Sequence, residues 1–136
     1  DGIDVINTKM IVDYILDAQS EGIGLLICSH QLNALENISD KVVYLDDGIG
    51  IGEEINKDEY SKYQLVYQEK IPGELRKNPD VRIISNIGRV YVVIMRGSYD
   101  VTQDIIQDKD LLQYDKLPIV LEDIFLLNSK GEDENV

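Results

Sequence analysis

The sequence predicts an α/β protein in two parts, residues 1–55 and 56–129, with a charged, mobile tail over 130–136. Three observations carry that expectation. An amphipathic stretch runs directly into a near-continuous apolar run, the pattern of a helix followed by a strand buried on both faces of a parallel sheet. The second half changes rhythm, to short apolar runs punctuated by Pro and Gly. And 43% hydrophobic residues in a chain of 136 is enough to fill a packed interior.

Asn7 to Ser20 sets Met10, Ile11, Tyr14, Ile15 and Ala18 on one stripe, with Lys9, Asp13 and Asp17 turned away from it. That spacing predicts an amphipathic helix, and Glu21-Gly22 ends it. Ile23 to Cys28 is predicted as a buried strand. Beyond Ser29-His30, Gln31 to Ile38 carries Leu32, Leu35 and Ile38 on a helical face, and Lys41 to Leu45 is a second strand. Asp46-Asp47-Gly48 marks a turn, and Ile49 to Ile55 is expected to pair with Val42–Leu45 as a hairpin.

Glu53 to Lys62 is polar and predicts a helical linker. Tyr63 to Gln68 is a strand, and Pro72 to Asn78 a short helix opened by proline and closed before Pro79. Val81 to Ser85 and Arg89 to Met95 are strands joined by Asn86-Ile87-Gly88, followed by a helix over Val101–Asp108, a strand over Leu111–Tyr114 and a closing helix over Leu121–Asn128. The order βαββαβ plus a helix is ferredoxin-like.

Charge narrows the possible partners. With 13 basic against 26 acidic residues the net charge is −13, which excludes a duplex-binding protein that works by neutralising phosphates. The longest uninterrupted apolar run, Leu25-Leu26-Ile27-Cys28, is far short of the roughly 20 residues that span a bilayer. One cysteine forms no internal disulfide, and no secretory signal is present, so a reducing, cytosolic setting is expected. Asp1-Gly2-Ile3-Asp4 reads like the interior of a protein and points to a fragment.

His30, the single histidine, stands where a predicted strand ends and a helix is about to start. Helix N-termini beyond strand ends offer unpaired N–H groups to anions, which suits a phosphate contact. A lone histidine is more often a cap or a loop-packing residue. A Ser29–His30 nucleophilic pair is disfavoured, because neighbouring side chains on a strand point to opposite faces. No Cys or His partner stands at a metal-ligand spacing. Gly48-Ile49-Gly50-Ile51-Gly52 lacks the G-x-G-x-x-G spacing, and Asp46, Asp47, Glu53 and Glu54 around it would repel an anion. Cys28 reads as a small buried hydrophobe.

Taken in order, Gly2-Ile3-Asp4, the helix Asn7–Ser20, a strand closing in Ser29-His30, and Leu35-Glu36 followed by Ile38-Ser39-Asp40-Lys41-Val42-Val43-Tyr44-Leu45-Asp46-Asp47-Gly48 resemble the end of an ATP-binding-cassette (ABC) transporter ATPase. Gly2-Ile3-Asp4 is similar to that family's D-loop, and Ser29-His30 to its H-loop. The second half resembles the C-terminal accessory domain of ATPases serving export and ABC-2-type permeases, with Leu121-Glu122-Asp123-Ile124-Phe125 similar to the sequence with which such chains close. Asp1 departs from the serine or small residue usual at its position.

The resemblance implies the C-terminal part of a P-loop NTPase domain followed by the accessory domain. It implies ATP held between two ATPase subunits, with His30 on the γ-phosphate, Gly2, Ile3 and Asp4 at the subunit interface, and Mg²⁺ and ATP bound by the intact parent rather than by this fragment. It also implies membrane permease subunits as partners and a place on the inner face of the cell membrane. No G-x-x-x-x-G-K-[ST] loop, signature Ser-Gly-Gly or Walker B Asp-Glu occurs in these residues, so the fragment alone is expected to be inert toward ATP. Two other readings stand beside this one. The second unit could be a regulatory or dimerising module, although tyrosines such as Tyr60, Tyr63, Tyr67, Tyr91 and Tyr99 on strands are more often packing residues than ligand cages. A free-standing α+β interaction protein is the third reading; the internal-looking start and the incomplete first unit stand against it, and a fragment exposing such a surface is expected to self-associate through a non-native contact at the first unit.

Overall fold

A computed structural model describes residues 2–27, 35–43 and 54–129, with side chains described from Ile6 onward in the first of these stretches. The chain divides into two units, Asp1–Val42 and Val43–Val136.

In the first unit, α1 (Gly2–Ser20) is one helix of 19 residues. It starts at Gly2 rather than Asn7, because nothing between Gly2 and Ile6 interrupts helical backbone once the glycine is passed. Its end is where the sequence puts it. Gly22 takes φ of 78°, Gly22 N–H donates to Gln19 C=O at 3.0 Å and Ile23 N–H to Ala18 C=O at 3.1 Å. This is the two-bond closure that a left-handed glycine permits and a residue with a Cβ resists.

Ile15 and Ala18 are buried, and Gln19 Nε2 reaches Ile38 C=O at 2.8 Å. The rest of the predicted stripe is open: Met10, Ile11 and Tyr14 are exposed. The buried strand expected from Ile23 does not form over 23–27. These residues carry no strand hydrogen bonds and are exposed, Leu26 to 95%. An apolar run becomes a buried strand only between two neighbouring strands that satisfy its backbone, and the described residues of this unit supply none. Leu35–Ile38 forms a turn. The remainder of the predicted helix from Gln31 and the end of the predicted strand at Tyr44-Leu45 lie outside the described residues.

The second unit begins with an antiparallel bridge between Val43 and Glu54, the one described contact of the expected hairpin. The predicted helical linker is a single 3₁₀ turn, Lys57–Glu59, with Asn56 accepting from Asp58 N–H at 3.0 Å. Then follow β1 (Tyr60–Tyr67), α2 (Gly73–Lys77), β2 (Val81–Ile87), β3 (Val90–Arg96), α3 (Tyr99–Ile105), β4 (Leu111–Leu117) and α4 (Leu121–Asn128). Every element of the predicted βαββαβα order is present; β1, β2 and β4 are longer than the sequence suggests, and β3 has the predicted length shifted by one residue.

The four strands make one sheet in the order β2-β3-β1-β4 with every neighbouring pair antiparallel. β1 and β2 therefore run parallel with β3 between them, and β3 and β4 run parallel with β1 between them. These are two interleaved split βαβ units. Both outer strands carry an extra residue where the register slips, Ile84 on β2 and Leu112 on β4.

β1 alternates strictly, and Ser61, Tyr63, Leu65 and Tyr67 are fully buried on one face. Tyr91, Val93 and Met95 on β3 and Val81 on β2 extend that face, and Ile71 just ahead of α2, Leu75 on α2 and Ile106 at the end of α3 pack on it. The opposite face carries Lys62, Ile94 and Arg82 in one cross-strand row. There α4 contributes Leu121, Ile124 and Leu127 and buries Ile94 completely.

The turn from β3 into α3 admits only glycine. Gly97 has φ of 125°, and a Cβ there would stand 3.0 Å from Thr102 Cγ2. Gly97→Ala is therefore expected to destabilise the second unit by about 1–3 kcal/mol, read as a lower thermal midpoint. Gly73→Ala, with open space around it, should leave that midpoint within a degree or two.

Candidate functional site

Of the residues singled out from the sequence for nucleotide chemistry, only the backbone of Gly2-Ile3-Asp4 falls among those described, and it forms the first turn of α1. His30, Cys28, Ser29, the glycine-rich stretch 48–52 and the acids Asp46, Asp47 and Glu53 lie outside the described residues. Among the described residues no group of three or more His, Cys, Asp or Glu could hold a metal ion, and no helix is long and apolar enough to cross a membrane.

The described polar architecture belongs to the second unit and centres on Asp123. Its carboxylate is buried. Oδ2 accepts from Val120 N–H at 3.0 Å, which caps α4 from the third helical position. Both carboxylate oxygens also accept from Lys62 Nζ, at 3.2 and 3.0 Å. Lys62 stands on the central strand β1, on the face opposite the tyrosines, so the ion pair joins the sheet to the first turn of α4. Further along, Arg82 donates to Leu126 C=O at 2.9 Å and Arg96 to Asn128 Oδ1 at 3.1 Å. Three basic side chains, in a chain that has 13 against 26 acids, hold one eight-residue helix along its length.

The buried face carries a hydroxyl network. Thr102 Oγ1 donates back to Ser98 C=O at 2.9 Å. Having one proton, it then accepts from Ser61 Oγ and Tyr63 OH, each at 2.8 Å. Tyr63 packs edge-on against Tyr99 and Tyr114 at ring separations of 5.4 and 6.2 Å. Tyr99 OH donates to Leu117 C=O, and Tyr67 OH donates to Ile106 C=O at 3.2 Å. Burial pushes the Tyr63 and Tyr67 phenols above their ordinary value. They are packing residues with satisfied hydroxyls rather than acids or bases near neutral pH, which agrees with the reading of strand tyrosines made from the sequence.

Two open clefts flank Tyr60. One of about 350 Å³ lies between Tyr60, Tyr99, Pro118 and Ile119; the other, of about 260 Å³, is bordered by Glu59, Arg96 and Asn128. Arg96 is already engaged by Asp80 and Asn128. Among the described residues every buried side-chain nitrogen and oxygen has a hydrogen-bond partner.

Sequence reading drew attention to Leu121–Phe125 but gave Asp123 no task, and it passed over Lys62. The available signal was an acid at the third position of a helix whose preceding residue, Val120, has no side-chain oxygen to cap it. Nothing local identifies Lys62, since a lysine alternating with tyrosines reads as the solvent side of a strand.

No family model matches the chain, and no solved structure does. Over 47 residues it is 34% identical to an uncharacterized ABC transporter ATP-binding protein of Methanocaldococcus jannaschii. That stretch is 35% of this chain and 18% of the relative, so the chain spans about a fifth of the length of the curated relative it matches.

Two outcomes follow from this geometry. Asp123→Ala removes the helix cap and leaves the partly buried Lys62 ammonium without its carboxylate, and should cost about 2–3 kcal/mol in chemical denaturation. Asp123→Asn, which keeps an oxygen for Val120 N–H, should cost clearly less. The raised tyrosine values mean that the folded unit holds protons that the unfolded chain releases near pH 10. Stability should thus be insensitive to these groups below about pH 9 and fall as pH rises through 10 and beyond. Tyr67→Phe should flatten that alkaline fall in a urea titration.

Proposed function

We propose that the chain is the C-terminal portion of an ABC transporter ATPase subunit, running from the D-loop through the H-loop and on into an accessory domain of ferredoxin-like topology. The observation that carries this reading is the ordered series across Gly2–Gly52, joined to 34% identity with an ABC transporter ATP-binding protein. The split βαβ arrangement of the second unit, closed by the Leu121–Phe125 segment, supports the accessory-domain half of the proposal.

In this reading the intact subunit binds ATP and Mg²⁺ and works as a dimer beneath a permease, on the inner face of the membrane, in export through an ABC-2-type partner. Phosphoryl transfer is carried by positioned water and by donors aimed at the γ-phosphate. His30 is the one imidazole of the chain. Its place after the apolar run and ahead of a predicted helix suits an N–H donor to that phosphate. Gly2, Ile3 and Asp4 contribute to the contact between subunits. The chain's 136 residues contain neither a Walker A lysine nor the Walker B carboxylates, so hydrolysis requires the rest of the subunit.

The test is ATP turnover by the full-length subunit, wild type against His30→Ala. The expected loss is roughly 10²-fold or more, comparable to removing one donor from a transition state. A mutant rate equal to wild type would remove His30 from the mechanism, and a full-length subunit that neither binds nor hydrolyses ATP would overturn the ATPase reading.

A further inference from the structure

Among the described residues the second unit holds two apolar layers, one on each face of the sheet, and they share no side chain. The larger is built on Tyr63, Leu65 and Tyr67 and closed by α2 and α3; it contains no residue of α4. The smaller is Ile94 beneath Leu121, Ile124 and Leu127, which form one stripe of α4.

Polar contacts divide the layers in the same way. Neutral hydroxyls knit the larger layer together, whereas α4 is tied to the sheet by Lys62, Arg82 and Arg96. The helix takes no part in strand pairing. It is joined to β4 by Pro118-Ile119-Val120, which lie outside any helix or strand. It can therefore leave the sheet without breaking a hydrogen bond between strands.

The balance that keeps it in place is narrow. A helix of eight residues is marginal alone, and ordering it costs conformational entropy at every residue. Three apolar side chains and one buried ion pair offset most of that cost, and none of the larger layer contributes.

We infer that α4 is a latch, which opens from the sheet and closes again in one cooperative step while the four strands, α2 and α3 stay folded. What it covers gives the step a consequence. Lys62, Ile94 and Arg82 stand in one cross-strand row, with Arg96 two positions beyond Ile94 on the same face. In the closed state this strip is matched by a helix whose first turn carries Glu122 and Asp123. In the open state a chain of net charge −13 presents a basic, apolar strip, complementary to an acidic amphipathic segment of the kind that α4 itself is. The latch rests on the second unit alone and stands or falls separately from the ATPase proposal.

The test is native-state hydrogen exchange on the whole chain, followed by NMR in rising, sub-denaturing urea. The N–H groups of Phe125, Leu126 and Leu127 are expected to share one opening, at least 10-fold more frequent than the opening that exposes Tyr63 and Val93. Its urea slope should lie above zero and below the global slope. Lys62→Met, which removes one partner of the ion pair, should make the α4 opening at least 10-fold more frequent. Tyr67→Phe weakens the other layer, which is intact in the open and the closed state alike. It should make the opening at Tyr63 and Val93 several-fold more frequent and leave that of α4 unchanged. A zero slope at α4, which marks simple fraying, or a slope equal to the global one would overturn the inference. So would α4 exchange that ignores Lys62→Met or that rises with Tyr67→Phe in step with the strands.

Discussion

The ion pair between Lys62 and Asp123 is the contact on which the second unit's layered arrangement depends. Without α4 the sheet would have helices on one face only, and Ile94, now fully buried, would face water between Lys62 and Arg82. An eight-residue helix has little stability of its own, since helices shorter than about 12 residues are marginal in water. It forms because its first turn is satisfied by its own Asp123 and its apolar side is received by the sheet. Asp123 performs both tasks with one carboxylate: Oδ2 takes the Val120 N–H, and both oxygens face Lys62. Capping and docking are thus one event, and the helix cannot form correctly without also being in place.

The other face is organised by the opposite means. There the polar groups are neutral hydroxyls threaded between tyrosine rings, and each finds a partner inside the layer. Thr102 is central, because its proton is committed to Ser98 and its lone pairs receive Ser61 and Tyr63. That arrangement explains why a threonine occupies a fully buried helical position, and why the glycine before α3 has room for nothing larger. The two faces differ in how they would fail. Losing a neutral hydroxyl leaves a small polar vacancy, whereas losing the Asp123 carboxylate strands a charge.

Much of the second unit was legible in the sequence, for physical reasons that can be named. Alternation in Tyr60–Tyr67 reports a strand with one buried face, Pro72 and Pro79 bracket α2, and the bounds of α4 coincide with the predicted Leu121–Asn128 because its apolar spacing begins at Leu121. The first unit was less legible. Ile23–Ile27 has the composition of a buried strand, but burial is a property of neighbours, and the described residues bring none. The D-loop reading of Gly2-Ile3-Asp4 rested on likeness to a family rather than on local backbone preference, and the backbone there is helical. Lys62 was invisible for a related reason: its partner stands 61 positions away, and no local pattern distinguishes a docked lysine from a solvated one.

The slipped registers at Ile84 and Leu112 have a consequence for how the protein behaves in concentrated solution. Outer strands normally present a regular row of free N–H and C=O groups, a template on which further strands can add without limit. Here each outer strand is kinked by one surplus residue, which twists the edge and breaks that regularity. Lateral growth of the sheet into fibrils is thereby discouraged at both margins, even though β2 is rich in isoleucine. A crowded solution of this unit is thereby directed away from open-ended polymers built by strand addition.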